Sequence, residues 1–137
     1  MDEIKIGDII LIDRLNSQGT YIPRHSFVVI DDENGKICSL DYDFIALLMS
    51  SFKSEMQKEK KLKFPGNFPI TPNDEFVCGG HAKEGFIKAE QFYYFNKDKI
   101  NYRVIGELKK DTLSELFNFI NTLSTKKVKI SQITDNL

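Results

Sequence analysis

Two short apolar runs and the turn signal that follows the first constrain this fold more than any other feature of the chain. The first run is Ser-Phe-Val-Val-Ile at residues 26–30, and the second covers residues 44–49. Residues 31–35 read Asp-Asp-Glu-Asn-Gly, and Asn-Gly accepts the positive φ angles that a tight hairpin needs. Continuous apolar runs of this length indicate buried strands. The sequence therefore predicts a hairpin in which residues 36–40 return beside the first run, followed by another buried strand.

Apolar alternation and aromatic enrichment predict further strands on both sides of this segment. These strands cover residues 4–15, 86–95 and 102–108. Residues 16–23 are expected to form a loop, and residues 64–81, rich in proline and glycine, a long irregular connection. Residues 51–63 change period and predict a short polar helix or a mobile loop, for which Ser51 is a candidate N-cap.

An amphipathic helix is predicted over residues 111–123. Its apolar residues recur at helical spacing on one face, namely Leu113, Leu116, Phe117, Ile120 and Leu123. Thr112 and Glu115 have the spacing of a capping box. A polar tail follows at 124–137, and its residues 126–137 are expected to be partly disordered.

Several short strands followed by one terminal helix define the predicted fold class. The chain is expected to be a single domain over residues 1–137, mainly β, with a C-terminal helix. Its strands, at about 4–108, are expected to form a small, curved antiparallel sheet that is closed or nearly closed, as in a barrel. The helix covers one open side of that sheet.

Charge and composition limit the classes of partner. The net charge is −1, which is unlike the strongly basic character of a nonspecific nucleic-acid binder. Any site for a polyanion must therefore be local, and the lysine-rich segment 53–63 is the one cluster able to follow a phosphate backbone. No apolar run reaches the roughly 18 residues of a membrane span. The first residues do not resemble a signal peptide, and two cysteines favour reduced thiols in the cytoplasm.

Arg24 is the leading candidate for a functional side chain. It follows the polar loop and directly precedes the first buried strand, and loops held by a rigid sheet are where binding and catalytic groups concentrate. His25 beside it has the residue type that transfers protons near neutral pH. Ser50 ends the second apolar run, where a hydroxyl can donate to a phosphate oxygen. The plainer alternative for each is a solvated residue at a strand end.

The Cys78-Gly-Gly-His81 segment raises a metal or thiol-enzyme alternative. Two ligands at this spacing form only half of a zinc site, so no metal is expected. A thiol nucleophile would need a base held beside it, and no pattern in the sequence indicates one. A flexible glycine loop is the simpler interpretation.

The order of these segments resembles that of the MazF/PemK family of toxin endoribonucleases. Four pieces carry the resemblance: Gly7-Asp8-Ile9 as the opening turn, Arg24 before Phe27-Val28-Val29-Ile30, Ser50 after Ala46-Leu47-Leu48-Met49, and Glu90-Gln91 within 86–92. The helix at 111–123 is similar to the family's C-terminal helix. His25 stands where the family has a proline, and the glycine-rich loop before the arginine is reduced to Ser17-Gln18-Gly19-Thr20.

The resemblance implies an SH3-like barrel, usually a homodimer, that cuts single-stranded RNA without a metal or cofactor. It implies catalytic roles for Arg24 and Ser50. Because a guanidinium stays protonated, His25 is the candidate for proton transfer, although the family has a proline at its position. Substrate contacts are expected from four further residues, Thr20, Ser51, Lys53 and Gln91. An antitoxin protein is the implied partner. The alternative function is a catalytically inactive SH3-like module that binds a protein, and the weak basic character of the chain motivates it.

Overall fold

The computed structural model describes residues 3–17, 19–32, 41–77 and 84–137 of the chain. The predicted turn at Asn34-Gly35, its partner strand at 36–40 and the Cys78/His81 pair lie outside the described residues. The strands are β1 (Asp8–Ile12), β2 (Leu15–Ser17), β3 (Thr20–Ile22), β4 (His25–Asp31), β5 (Phe44–Ser51), β6 (Asn67–Ile70), β7 (Glu75–Val77), β8 (Gly85–Lys88), β9 (Gln91–Phe95), β10 (Tyr102–Leu108) and β11 (Ser131–Asn136). The α-helices are α1 (Glu55–Leu62) and α2 (Lys110–Leu123).

The two predicted apolar runs form the adjacent strands β4 and β5 in the interior of the main sheet. Their antiparallel register pairs Ser26 with Met49 and Val28 with Leu47. The order across the sheet is β11-β9-β5-β4-β1-β10-β7, and β8 pairs with the end of β5 and with β6. The mainly β, antiparallel architecture with a C-terminal helix is confirmed. The described strands do not form a closed barrel, because this path stays open between β11 and β7.

Both faces of β4 and β5 are covered, which explains their continuous apolar sequence. Val28 and Leu47 face a cluster that includes Leu116 and Leu123 of α2, which we call the helix-side core. Alternate residues of the same strands face a second cluster, which we call the hairpin-side core because Leu15 of β2 and Ile22 of β3 pack there. The central sheet is therefore enclosed by α2 on one side and by the β2–β3 hairpin on the other.

The described residues within 64–81 and 16–23 form more regular secondary structure than predicted. The first segment contributes β6 and β7, and Phe68 and Ile70 of β6 are buried in the helix-side core. The second segment forms most of the β2–β3 hairpin instead of a simple loop. Likewise, the predicted single strand at 86–95 is two strands, β8 and β9. Very short strands carry too few residues to display a period, so their pairing depends on the rest of the fold.

Both helices exist, but their predicted caps are wrong. Helix α1 begins after Ser54, whose hydroxyl accepts a hydrogen bond from the Gln57 backbone N–H at 3.1 Å, and Ser51 belongs to β5. Helix α2 begins after Lys109, which provides no side-chain cap. The Thr112 hydroxyl instead donates to Asp74 Oδ1 at 2.9 Å, a tertiary contact that competes with local capping. No described helix has the length and apolar character needed to cross a membrane.

Part of the tail forms a strand, where the sequence predicts partial disorder. Strand β11 runs parallel to β9, pairing Ser131 with Gln91 and Ile133 with Tyr93. Ile133 is 4% exposed and belongs to the hairpin-side core. One buried isoleucine in an otherwise polar stretch is a weak sequence signal, yet it fixes the strand against the sheet.

Replacing Ile133 by alanine tests this docking. We expect Ile133→Ala to lower the free energy of unfolding by about 2–5 kcal/mol, because it leaves a cavity in the hairpin-side core. Thr134→Ala, at an exposed position of the same strand, is the matched control and is expected to change stability by less than about 0.5 kcal/mol. Chemical denaturation measures both, and equal small effects would show that β11 does not contribute to the core.

Candidate functional site

A groove lies where β4 begins and β5 ends. Its volume is about 660 Å³, and its lining is Leu11, Arg24, His25, Ser26, Met49, Ser50, Ser51, Phe52 and Lys53. The pairing of Ser26 with Met49 brings the start of one strand to the end of the other. Five residues predicted from the sequence, namely Arg24, His25, Ser50, Ser51 and Lys53, therefore line one surface.

The groove takes side chains from both faces of the sheet. Phe27 and Leu48 belong to the hairpin-side core, so alternation puts His25 and Ser50 on that face. Ser26 and Met49 lie on the opposite face, and Leu11 is the cross-strand partner of Ser26. The groove thus wraps around the end of the sheet, with polar groups at its rim and Leu11 and Met49 between them.

Arg24 makes one ion pair at this site. Its Nε donates to Asp13 Oδ1 at 3.0 Å, with 64% of the Arg24 side chain and 51% of the Asp13 side chain exposed. A guanidinium carries five N–H donors. Among the described residues Asp13 is the hydrogen-bond partner of this guanidinium, and the contact uses Nε alone. The terminal nitrogens of Arg24 can therefore bind an anion while Asp13 holds the side chain in place.

His25 is half-buried, and its surroundings lower the pKa of its imidazole. Burial is the main cause that lowers the pKa of its imidazole below the ordinary value of about 6.5, and the positive charge of Lys88 lowers it further. Lys88 reaches this neighbourhood because the preceding residue, Ile87, faces the helix-side core. At neutral pH the His25 ring is neutral and able to accept a proton.

Ser50 and Ser51 are fixed by the close approach of β8. Register pairs Ser50 with Phe86 and Ser51 with Gly85. A Cβ at position 85 would collide with the Ser50 carbonyl oxygen, so the approach requires glycine. Just beyond, the Phe52 backbone N–H donates to the Glu84 carbonyl oxygen at 3.1 Å. These contacts hold the end of β5 rigidly at the groove.

Lys53 lies between β5 and helix α1. Its backbone N–H donates to Gln57 Oε1 at 2.5 Å, which joins this residue to the first turn of the helix. The adjacent aromatic ring of Phe52 stacks on Phe86 with centroids 5.3 Å apart. The lysine backbone is thereby restrained, while its ammonium group remains on an exposed side chain.

Thr20 and Gln91 are not brought to this groove. Thr20 is exposed in the separate β2–β3 hairpin. Gln91 pairs with Ser131 of β11, and its Oε1 accepts a hydrogen bond from the Tyr93 hydroxyl at 3.4 Å. The two predicted substrate contacts therefore lie apart from the five residues that line the groove.

Asp13 and Lys88 are neighbours of the site that no sequence pattern indicates. Asp13 follows β1, and the pairing of Ile12 with His25 brings it to the end of β4 beside Arg24. Both neighbours come from long-range strand register, for which the local sequence carries no signal. No group of three or more His, Cys, Asp or Glu residues that could hold a metal ion occurs within residues 3–17, 19–32, 41–77 and 84–137.

Comparison of the chain with models of protein families, with curated proteins and with solved structures finds no match. The assignment of a function therefore depends on the residues and geometry of the groove.

An NMR titration of His25 tests the electrostatics of the groove. We expect an imidazole pKa below about 6.5, and Lys88→Met should raise it only partway, because burial is the larger cause. Lys110→Met removes an exposed charge at the start of α2, which lines no part of the groove, and should leave the pKa unchanged. A His25 pKa at or above 6.5 in the folded protein would contradict the burial argument.

The lowered pKa of His25 also determines how the stability of the fold changes with pH. Below pH of about 6.5 the unfolded chain gains a proton on His25 that the folded chain still excludes. The contribution of the neutral His25 ring to the free energy of unfolding is therefore present above that pH. It is lost as the pH falls through the lower pKa of the folded state. His25→Gln should remove this part of the pH dependence of unfolding.

Proposed function

We propose that the protein is a MazF/PemK-like endoribonuclease that cleaves single-stranded RNA without a metal ion. One observation carries the proposal: Arg24 and Ser50, which the family resemblance selects as catalytic, line the same groove as His25, whose residue type suits proton transfer. Ser50 is distant in sequence from Arg24 and His25, and β4–β5 pairing joins them. The groove volume of about 660 Å³ lies within the roughly 300–1,000 Å³ of typical ligand sites.

The proposed reaction uses a nucleophile that RNA itself supplies. The 2′-hydroxyl loses its proton and attacks the adjacent phosphorus, while the bond from phosphorus to the 5′-oxygen of the next nucleotide breaks. A proton is delivered to that leaving oxygen, so the products are a 2′,3′-cyclic phosphate and a free 5′-hydroxyl. Because nucleophile and phosphate belong to one molecule, proximity is built into the substrate. The protein has to orient the phosphate and stabilise its growing negative charge.

Arg24 is assigned to the phosphate. A planar guanidinium makes paired, charge-assisted hydrogen bonds to phosphate oxygens. Its Nε bond to Asp13 leaves the terminal nitrogens for this role and limits rotation of the side chain. The arginine remains protonated in proteins, so it acts as an electrostatic clamp and not as a base.

His25 is assigned to proton transfer. The lowered pKa of its ring gives the neutral form that can accept the 2′-hydroxyl proton at pH 7. Ser50 is assigned as a hydroxyl donor to a non-bridging phosphate oxygen. It lies at the end of β5, which pairs with β8, and the close approach of β8 depends on Gly85. Ser51 and Lys53 are assigned to contacts with the RNA nucleotides that flank the cleaved phosphate.

The finer structural and biological features belong to the same proposal. An SH3-like barrel is supported by the antiparallel sheet around β4 and β5 and by α2, although the described strands leave the sheet open. Gly7 supports the opening turn of the family, because its φ of 95° places it in the left-handed region just before β1. A homodimer and an antitoxin partner follow from the resemblance alone, and a cytoplasmic location is favoured by the small number of cysteines.

A second candidate function is a non-catalytic module that binds a protein. The Asp13–Arg24 ion pair favours it, because a carboxylate beside the arginine opposes the binding of a phosphate. The near-neutral net charge also removes long-range attraction for RNA. Product analysis separates the two functions, since only the nuclease generates cyclic-phosphate ends.

Substituting Arg24 tests the proposed nuclease most directly. We expect Arg24→Ala to lower the rate of RNA cleavage by about 10²–10³-fold while the fold survives, because a transition-state donor is lost from an exposed side chain. Arg24→Lys keeps the charge without the planar fork and should recover only part of the rate. Cleavage of a mixed single-stranded RNA pool, with identification of the ends, is the measurement.

Arg14→Ala is the matched control for this experiment. Arg14 is exposed and lies outside the lining of the groove, so its removal should leave the rate unchanged. Equal cleavage by wild type and Arg24→Ala would refute the assignment of Arg24. Absence of cleavage by folded wild-type protein, with binding to a protein partner, would favour the second candidate.

The pH dependence of cleavage tests His25. We expect the rate to rise with pH through a value below about 6.5 and then to level off, because only the neutral ring accepts a proton. His25→Gln should abolish this step and slow cleavage by about 10²-fold or more. A mutant that retains the wild-type rate and pH profile would exclude His25 from proton transfer.

A further inference from the structure

A second cavity adjoins the groove on the other side of Arg24. Its volume is about 450 Å³, and its lining is Leu11, Asp13, Arg24, Lys97, Ile100, Asn101, Tyr102 and Arg103. Leu11 and Arg24 belong to both linings, so the two spaces are neighbours at these residues. We call this second space the Arg103 cavity.

We propose that the Arg103 cavity binds a second phosphate of the RNA strand, next to the phosphate that is cleaved at Arg24. The inference rests on the function proposed above and extends the site along the substrate. It assigns Arg103 and Lys97 as phosphate-contacting residues, whereas the family resemblance selects neither.

The charges of the cavity favour a phosphate. Arg24, Lys97 and Arg103 contribute three positive side chains, and Asp13 contributes the one negative side chain of the lining. Asp13 is already paired with Arg24 Nε, so its charge is partly compensated. In a chain whose net charge is −1, such a local excess of cations is a departure from the average surface.

Backbone contacts from two directions shape the wall of the cavity. The Lys97 backbone N–H donates to Asp43 Oδ2 at 2.7 Å, which anchors the segment before β10 to the start of β5. The Asp13 N–H donates to the Asn101 carbonyl oxygen at 3.2 Å. These bonds fix the backbone at Lys97 and Asn101, which share the lining of the cavity with Arg24.

Strand register brings Arg103 into line with the groove. Leu11 pairs with Arg103 on one side and with Ser26 on the other, and Ser26 pairs with Met49. One cross-strand row therefore runs from Arg103 of β10 to Met49 of β5. Alternation within strands puts the side chains of that row on one face of the sheet. That face is opposite to the one that carries His25 and Ser50, so a single RNA strand that reaches both spaces has to pass around Arg24, which lines both.

The test measures binding to oligoribonucleotides that are 2′-O-methylated and therefore cannot be cleaved. The variant Lys97→Ala/Arg103→Ala is compared with Arg14→Ala/Lys110→Ala, which removes the same charge from exposed positions outside both cavities. Affinity is measured for lengths from a dinucleotide to an octanucleotide over a series of salt concentrations. Cleavage of unmodified RNA by the wild-type protein is measured in parallel.

We expect the cavity variant to bind the dinucleotide as wild type does and to lose the gain in affinity that accompanies longer strands. Its dependence of log K on log salt for the octanucleotide should be shallower than that of wild type by about 0.7, which corresponds to one lost phosphate contact on a single strand. The control variant should retain the wild-type slope. This pattern would support the subsite even if the wild-type protein bound RNA without cutting it, an outcome that would refute only the nuclease.

Two outcomes would overturn the inference. If wild type cleaves RNA but the cavity variant keeps the wild-type slope and length dependence, the second phosphate site is wrong and the nuclease assignment stands. If folded wild type binds no oligoribonucleotide of any length, both proposals fail together.

Discussion

Strands β4 and β5 hydrogen-bond to each other while apolar side chains cover both of their faces. Phe27 on one face and Val28 and Leu47 on the other are all fully buried. This arrangement requires a covering layer on each side, which α2 and the β2–β3 hairpin provide. The apolar constraint ends where the strands leave these layers. Polar residues can appear only there, so the same pairing that organises the cores also brings the Arg24 end of β4 to the Ser50 end of β5.

Local sequence patterns predict the elements that bury many residues and fail for those that bury few. The runs at 26–30 and 44–49 and the helix at 111–123 each repeat an apolar signal several times, and all three are present. Strands β6 and β11 are set by one or two buried side chains and by partners far along the chain. The predicted helix caps are wrong for a related reason. Thr112 had the correct local spacing, but Asp74 of a distant turn offered its hydroxyl a better acceptor.

The residues of the candidate site show the same difference between strong and weak local sequence patterns. Arg24, His25, Ser50, Ser51 and Lys53 were predictable because each adjoins the end of a strong apolar run, and the two runs are paired. Thr20 and Gln91 adjoin the hairpin and β11, whose positions no local pattern reveals, and neither lines the groove. The long-range neighbours, Asp13 at Arg24 and Lys88 at His25, depend on the register of β1 and β8. They determine charge and protonation, which are the properties that chemistry depends on most.

The Asp13–Arg24 pair connects these properties to the choice of ligand. An ion pair between two exposed side chains stabilises the folded state by only about 0–1 kcal/mol. In the proposed site a phosphate binds the terminal nitrogens while Asp13 contacts Nε, and the nearby carboxylate weakens the binding of an isolated anion. In the proposed complex, a polynucleotide with a second phosphate in the Arg103 cavity would also contact Lys97 and Arg103, and these attractions oppose the repulsion from Asp13. The role that the proposal gives to the carboxylate is to disfavour an isolated phosphate relative to a polynucleotide, in a protein whose net charge of −1 provides no long-range attraction for either.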